Sequence, residues 1–322
     1  MSVLGTTTIY YSVGTSLLQV LLLAIGGPLL LGLMDKLRAR AEGRRGASIL
    51  QPLRDVRKLL TKERLRPRFS SVVLPVAPLV LFIATAVAVA IAPLVSTHPS
   101  LAASSDIYVI VYLLLTGSIA LALAGLDTAT AFGGMGASRA MTISALAEPA
   151  LLVAVLALCI QAGTSNLPAL LTRTLAHPAM LASPTRLLAL VAIVIVVVAE
   201  TGRLPVDNPS THLELTMIHE AMILEYAGPE LSLLTVASAM RLGLLFALVA
   251  NLFIPWGIAT NTSVAALALG TLWLVVKTGV VAVGVSLMEV HRAKLRFFRV
   301  PELLAGGFVL SVLAVVAQLV AR

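Results

Sequence analysis

The chain has 322 residues, of which 59% are hydrophobic and only 12% charged, and its mean hydropathy is +1.00. Soluble domains hold about 45–50% apolar and roughly 25% charged residues, so a soluble fold of this length lacks the polar residues to cover it. The net charge of +8 is gathered in one connection, which points to a membrane orientation signal and away from nucleic acid.

Eight stretches are long and apolar enough to cross a bilayer as helices, at about 13–34, 72–95, 107–126, 144–163, 185–202, 231–254, 263–287 and 302–320. The expected fold is an all-α, polytopic integral membrane protein of about eight transmembrane helices, forming one membrane domain over residues 1–322. No Lys or Arg precedes Asp35, so the first span reads as a retained helix, not a cleaved signal. Twelve of the 23 basic residues lie between Lys36 and Arg68. Arg139, Arg203 and the group Arg292, Lys294, Arg296 and Arg299 fall in the other odd connections, while the even ones hold only Arg173 and Arg186. The positive-inside rule therefore places the loops at about 35–71, 127–143, 203–230 and 288–301 in the cytoplasm and both termini outside, in a cytoplasmic membrane.

In the first connection Leu50, Leu53, Val56, Leu59 and Leu60 recur at helical spacing, which predicts a short amphipathic helix. It is either a basic anchor on lipid or a docking surface for a soluble partner. In the third, Gly133, Gly134 and Gly136 precede no Gly-Lys-Ser/Thr and read as a turn, not a phosphate loop. Arg139 and Glu148 follow nine residues apart, and Glu148 enters an apolar span. An ionisable group there is costly and marks either function or a headgroup-level helix end. Cys159, the single cysteine, sits in an apolar run as an inert thiol.

The region from Glu200 to Glu230 is the richest. It holds six carboxylates: Glu200, Asp207, Glu214, Glu220, Glu225 and Glu230. Arg203, His212 and His219 accompany them. If 210–226 is helical, His212 and His219 share a face, as do Glu214 and Glu225. Clustered carboxylates in a partly dry site raise one another's proton affinity and can pass protons near neutral pH. The alternative is a solvated acidic loop for a basic partner. A His-Glu-x-x-His metal motif and a Gly-x-Ser-x-Gly elbow are both missing, which argues against metallohydrolase or serine-hydrolase chemistry. Arg241 falls near the start of the sixth span, within snorkelling reach of the interface. Lys277 sits well inside the seventh span and calls for a partner, best supplied by a carboxylate on another helix.

Taken in chain order, these segments resemble the subunit 1 family of respiratory complex I over about residues 10–320. The first loop carries Arg44-Arg45-Gly46, Gln51-Pro52, Asp55, Lys58-Leu59 and Lys62-Glu63. The third carries Gly136, Arg139 and Glu148; the fifth carries Glu200, Arg203, Pro205, Asp207, Glu225 and Tyr226; the seventh span carries Lys277. Quinone-reducing members have further glutamates where this chain has Ser210 and His212 and keeps only Glu214, and the ending His291-Arg292-Ala-Lys-Leu-Arg-Phe-Phe-Arg-Val-Pro-Glu302 also departs from them. These features resemble the formate hydrogenlyase subunit 4 branch of membrane-bound NiFe hydrogenases.

The resemblance implies a non-catalytic membrane subunit of an oxidoreductase complex that anchors a peripheral redox arm and links electron transfer to proton translocation. Glu148, Glu200, Asp207, Glu214, Glu220 and Glu225 would carry protons, with Arg139, Arg203 and Lys277 tuning them. Arg44, Arg45, Gln51, Asp55, Lys58, Lys62 and Glu63 would form the docking surface. The NiFe centre and iron–sulfur clusters would reside in a hydrogenase-like large subunit and an iron–sulfur small subunit, beside antiporter-like membrane subunits. No cofactor or metal would be bound by this chain. The alternative is the quinone-site subunit of an NADH:quinone oxidoreductase.

Overall fold

The computed structural model describes residues 2–68, 70–99, 102–207, 217–261, 263–292, 295 and 299–321, the side chains of 2–10 and 103 left aside. Helices dominate: α1 (Ser2–Ala41), α2 (Gln51–Leu60), α3 (Val73–Ile91), α4 (Ile107–Asp127), α5 (Ala131–Ala162), α6 (Leu167–Ala176), α7 (Pro184–Glu200), α8 (His219–Ile223), α9 (Gly228–Phe253), α10 (Val264–His291) and α11 (Val300–Val320). Among the described residues there is no strand, only the single bridges Ser96–Ala259 and Asp106–Asn166.

Seven helices are long and apolar enough to cross a membrane: all the spans of the sequence except α7. At 17 residues α7 stands at the lower limit of about 17–25 for a spanning helix. Its β-branched run is helical, as lipid demands.

Helix starts follow local chemistry. Asp106, Thr130, Asn166, Ser183 and Ser263 each accept a backbone N–H at the start of a helix, and proline occupies the first turn of α2, α7, α9 and α11.

Two stretches differ from the sequence reading. The span expected at 144–163 is the second half of a single 32-residue helix, α5. Gly133, Gly134 and Gly136 lie inside it and not in a turn. Gly136 is needed for packing: a Cβ there would come 2.9 Å from the Ala221 Cβ of α8. In the fifth connection residues 210–216, with His212, lie outside the described residues, and within 217–226 only the five-residue α8 is helical. The amphipathic α6, in the fourth connection, is an additional element.

The bundle pairs α3 with α4, α5 with α7 and α11, and α1 with α9. The α1–α9 crossing is close because Gly27 lacks a Cβ, which would stand 2.6 Å from the Ala239 carbonyl oxygen. The largest apolar cluster includes Leu23, Ile91, Leu158, Leu170 and Phe246. Two smaller clusters, around Leu121 and Leu234 and around Ile143 and Val206, lie where α5 begins and α7 ends.

Beyond the end of α3 the chain stays buried without helix over residues 92–97. Its backbone is satisfied from two distant helices. Gln19 Oε1 accepts from Leu94 N at 2.8 Å and Val95 N at 3.1 Å. Asn251 Nδ2 donates to Pro93 O at 3.2 Å and Leu94 O at 2.9 Å.

Candidate functional site

A cavity of about 460 Å³ opens where α7 ends and α5, α8 and α9 begin. Leu81, Leu121, Ile143, Met222 and Leu234 supply apolar wall, and Asp35, Glu200, Arg203, Asp207, His219, Glu220 and Arg241 supply charge.

A buried ion pair and a looser buried Arg–Glu contact flank it. Glu200, the last residue of α7, pairs with Arg241 of α9; the side chains are 10% and 13% exposed. Arg241 Nη1 also donates to Ser118 Oγ of α4 at 2.5 Å, so one guanidinium ties three helices. Arg241 lies 13 residues into α9, about 20 Å from its start. It therefore does not snorkel; it is held inside by its partner. Glu148 of α5, half-buried, is close enough to feel both Glu200 and Arg241. On the other side Arg203 faces Glu289 of α10, with Nη1–Oε1 at 3.7 Å. Removing one member of a buried pair strands the other charge and costs about 3–5 kcal/mol.

Asp207 is buried on the cavity wall, and Glu220 is half-buried beside it. His219, outside the spanning helices, has its imidazole held below its ordinary value of 6.5 by burial, against the pull of Glu220.

The remaining expected residues are elsewhere. Arg139 Nη1 donates to Met217 O at 3.3 Å, fastening α5 to the chain just before α8. Glu225 lies in the link between α8 and α9, outside the cavity lining. Its neighbour Tyr226 donates its hydroxyl to Leu74 O at 2.7 Å and pins that link to α3. Glu214 falls outside the described residues. Lys277 does not meet a carboxylate. Its Nζ donates to Asn251 Oδ1 at 2.6 Å and to the Ile254 and Trp256 carbonyls, both at 3.1 Å. These oxygens lie at the C-terminal end of α9, where the helix dipole also favours a cation. The cavity is at the other end of α9. Among the described residues no three His, Cys, Asp or Glu side chains group to hold a metal.

Asp35 went unremarked in the sequence, and Arg241 and Glu289 stood out there without the role of lining or flanking this cavity. Each is an ionisable group in or at the edge of an apolar stretch, which was the signal available.

The residues expected from the sequence to dock a partner lie at the same end. On α2, Leu53, Val56 and Leu59 are half-buried and Asp55, Arg57 and Lys58 are exposed. α2 lies on α1 and α9, where Ser232 Oγ donates to Val56 O at 3.2 Å. Gln51 Nε2 donates to Asp55 Oδ1 at 2.9 Å. Arg44 pairs with Glu42, and Arg45, Lys62 and Glu63 are exposed. The stretch of chain after α2 is stapled down by Arg66 on Glu230, at 2.8 Å.

Residues 14–320 match the family described as NADH dehydrogenase. The chain belongs to the NADH dehydrogenase family. Among curated relatives, it is 32% identical to hydrogenase-4 component C of Escherichia coli (strain K12), over 94% of this chain and 95% of that one. It is 31% identical to formate hydrogenlyase subunit 4 of the same strain, over 95% of this chain and 98% of that one. Its fold matches a chain of the membrane-bound sulfane sulfur reductase, an archaeal respiratory membrane complex. The TM-score is 0.79 at 20% identity, covering 94% of this chain and 98% of that one. Within the NADH dehydrogenase family the chain is thus a complex-I-like, multi-pass membrane subunit.

Proposed function

We propose that the chain is the membrane-anchoring and proton-coupling subunit of a complex-I-like, membrane-bound hydrogenase of the formate hydrogenlyase type. The names of its two bacterial relatives support the hydrogenase branch. The observation that carries the coupling role is the charged cavity: Glu200, Asp207 and Glu220 line one space with Arg203 and Arg241. Glu148 adds a carboxylate within reach of the Glu200–Arg241 pair. Carboxylates so grouped in a partly dry site take up and release protons near neutral pH, and the neighbouring guanidiniums set how strongly each one holds its proton. Glu214 and Glu225 would extend this set, and Arg139 and Lys277 would act as supporting cations.

The cavity end faces the cytoplasm and both termini face outward, in the cytoplasmic membrane. The exposed basic face of α2 and the loops around it dock a large hydrogenase-like subunit and an iron–sulfur subunit. Those partners hold the NiFe centre and the clusters, and antiporter-like membrane subunits flank this chain.

The test is native mass spectrometry and metal analysis of the gently solubilised complex, followed by Glu200→Gln. Nickel, iron and a hydrogenase-like subunit are expected, with proton translocation lost in the variant while the complex stays assembled. A nickel-free complex with flavin would move the chain to NADH oxidation, and isolation as a lone chain would end both readings. The apolar wall at Leu81, Leu121, Met222 and Leu234 also suits a quinone head. That second reading expects activity blocked by a quinone-site inhibitor.

A further inference from the structure

Behind the cavity, away from the Glu200–Arg241 pair, stands a second group of charges. Asp35 of α1 is exposed and lies on the cavity wall. Arg203, also on the wall, is 5% exposed. Glu289 of α10 lies behind Arg203 and is 2% exposed. Among the described residues, neither Glu289 carboxyl oxygen has a hydrogen-bond partner. Arg203 is the cation that faces it most closely, at 3.7 Å, beyond hydrogen-bond distance. The other groups acting on it, among the described residues, are Asp35 and Arg38 from α1 and the Leu204 backbone N–H, which approaches it outside good hydrogen-bond geometry. Arg38 is itself held by Glu42 at 3.2 Å.

An ionised carboxylate is an acceptor only, and burying one without accepted hydrogen bonds is costly. A protonated carboxyl in the same place carries no charge to desolvate. Arg203 also acts electrostatically on Asp35, and its loose contact with Glu289 leaves it able to serve both carboxylates.

We infer that Glu289 is a buried proton-holding residue, loaded from the cavity through Asp35 with Arg203 as the shared counter-ion between them. The proton leaves the Asp35 carboxyl and joins a Glu289 oxygen, and Arg203 shifts toward whichever carboxylate is left charged. This rests on the proton-coupling reading above and adds a second branch to it, directed to α10 and not to α5 and α9.

The experiment is infrared difference spectroscopy of the purified native complex in lipid nanodiscs, in H₂O and D₂O, for the wild type, Glu289→Gln and Asp35→Asn. The expected result is the carbonyl stretch of a protonated carboxyl group at neutral pH, lost in Glu289→Gln. In Asp35→Asn the band persists, and its deuterium shift after transfer to D₂O slows by about 10²-fold, the low end of what a positioned proton donor contributes. If Glu289→Gln does not assemble, Glu289→Asp keeps the test open, because the band should then shift in frequency. An unchanged band in the Glu289 variants, its absence from the wild type, or unaltered exchange in Asp35→Asn overturns the inference. Proton uptake separates the two levels. Loss in Glu200→Gln but not in Glu289→Gln removes this branch alone. Loss in neither removes the coupling reading itself.

Discussion

Arg241 is the residue on which three helices converge, and its replacement should be felt at once. Arg241→Ala leaves Glu200 buried without its cation and should destabilise the protein by about 3–5 kcal/mol, read as a lower unfolding temperature in detergent. Adding Glu200→Gln should restore part of that loss, because the stranded charge is gone. His219 gives a pH signature. Its folded value lies below 6.5, so the native state binds fewer protons than the unfolded chain. Its contribution is full above pH 6.5 and falls away as the pH drops below it toward the folded value. The unfolding temperature should therefore decline between pH 7 and pH 5, and His219→Gln should flatten the decline. The carboxylates of this site were legible as costly charges beside apolar spans, but their partners were not. Glu200 finds Arg241, 41 residues on, and Arg203 finds Glu289 on another helix. One sequence states that a charge needs company without saying where the helices will bring it.

At the scale of elements, α2 is held by what surrounds it. Gly228, at φ +60°, lets α9 start beneath the chain that leaves α2. A Cβ there would stand 2.5 Å from Glu63 O. Gly228→Ala should cost about 1–3 kcal/mol and release the Arg66–Glu230 staple, which limited proteolysis after α2 would detect. Lys58→Glu with Lys62→Glu touches only exposed positions and should leave folding intact, yet lower the salt concentration at which the peripheral subunits wash off. The α2 helix was plain in the sequence because its apolar face repeats at helical spacing. The first half of α5 was hidden because glycine, serine, threonine and arginine lower its hydropathy. Gly136 among them is what lets α8 lie close against it. α7 was legible by its apolar run, although it proves the shortest of the long helices.

For the molecule as a whole, composition alone announced a helical membrane protein, and the placing of its basic residues argues for the cytoplasmic side of the cavity. A protease-cleavable tag on either terminus should be cut from the outside of sealed cells, and a cysteine introduced at Arg45 should be labelled only after the cells are opened. One further property follows from the buried stretch at 92–97. Its carbonyls at Pro93 and Leu94 take their donor from Asn251, more than 150 residues later in the chain. During synthesis, α3 therefore enters the bilayer with an end it cannot complete, since backbone groups facing hydrocarbon cost several kcal/mol each. The seam closes only when α9 arrives. The polar clasp thus carries an expectation about biogenesis: a nascent chain halted before Asn251 should be degraded faster than one released after α9, which a pulse-chase of truncated chains would read.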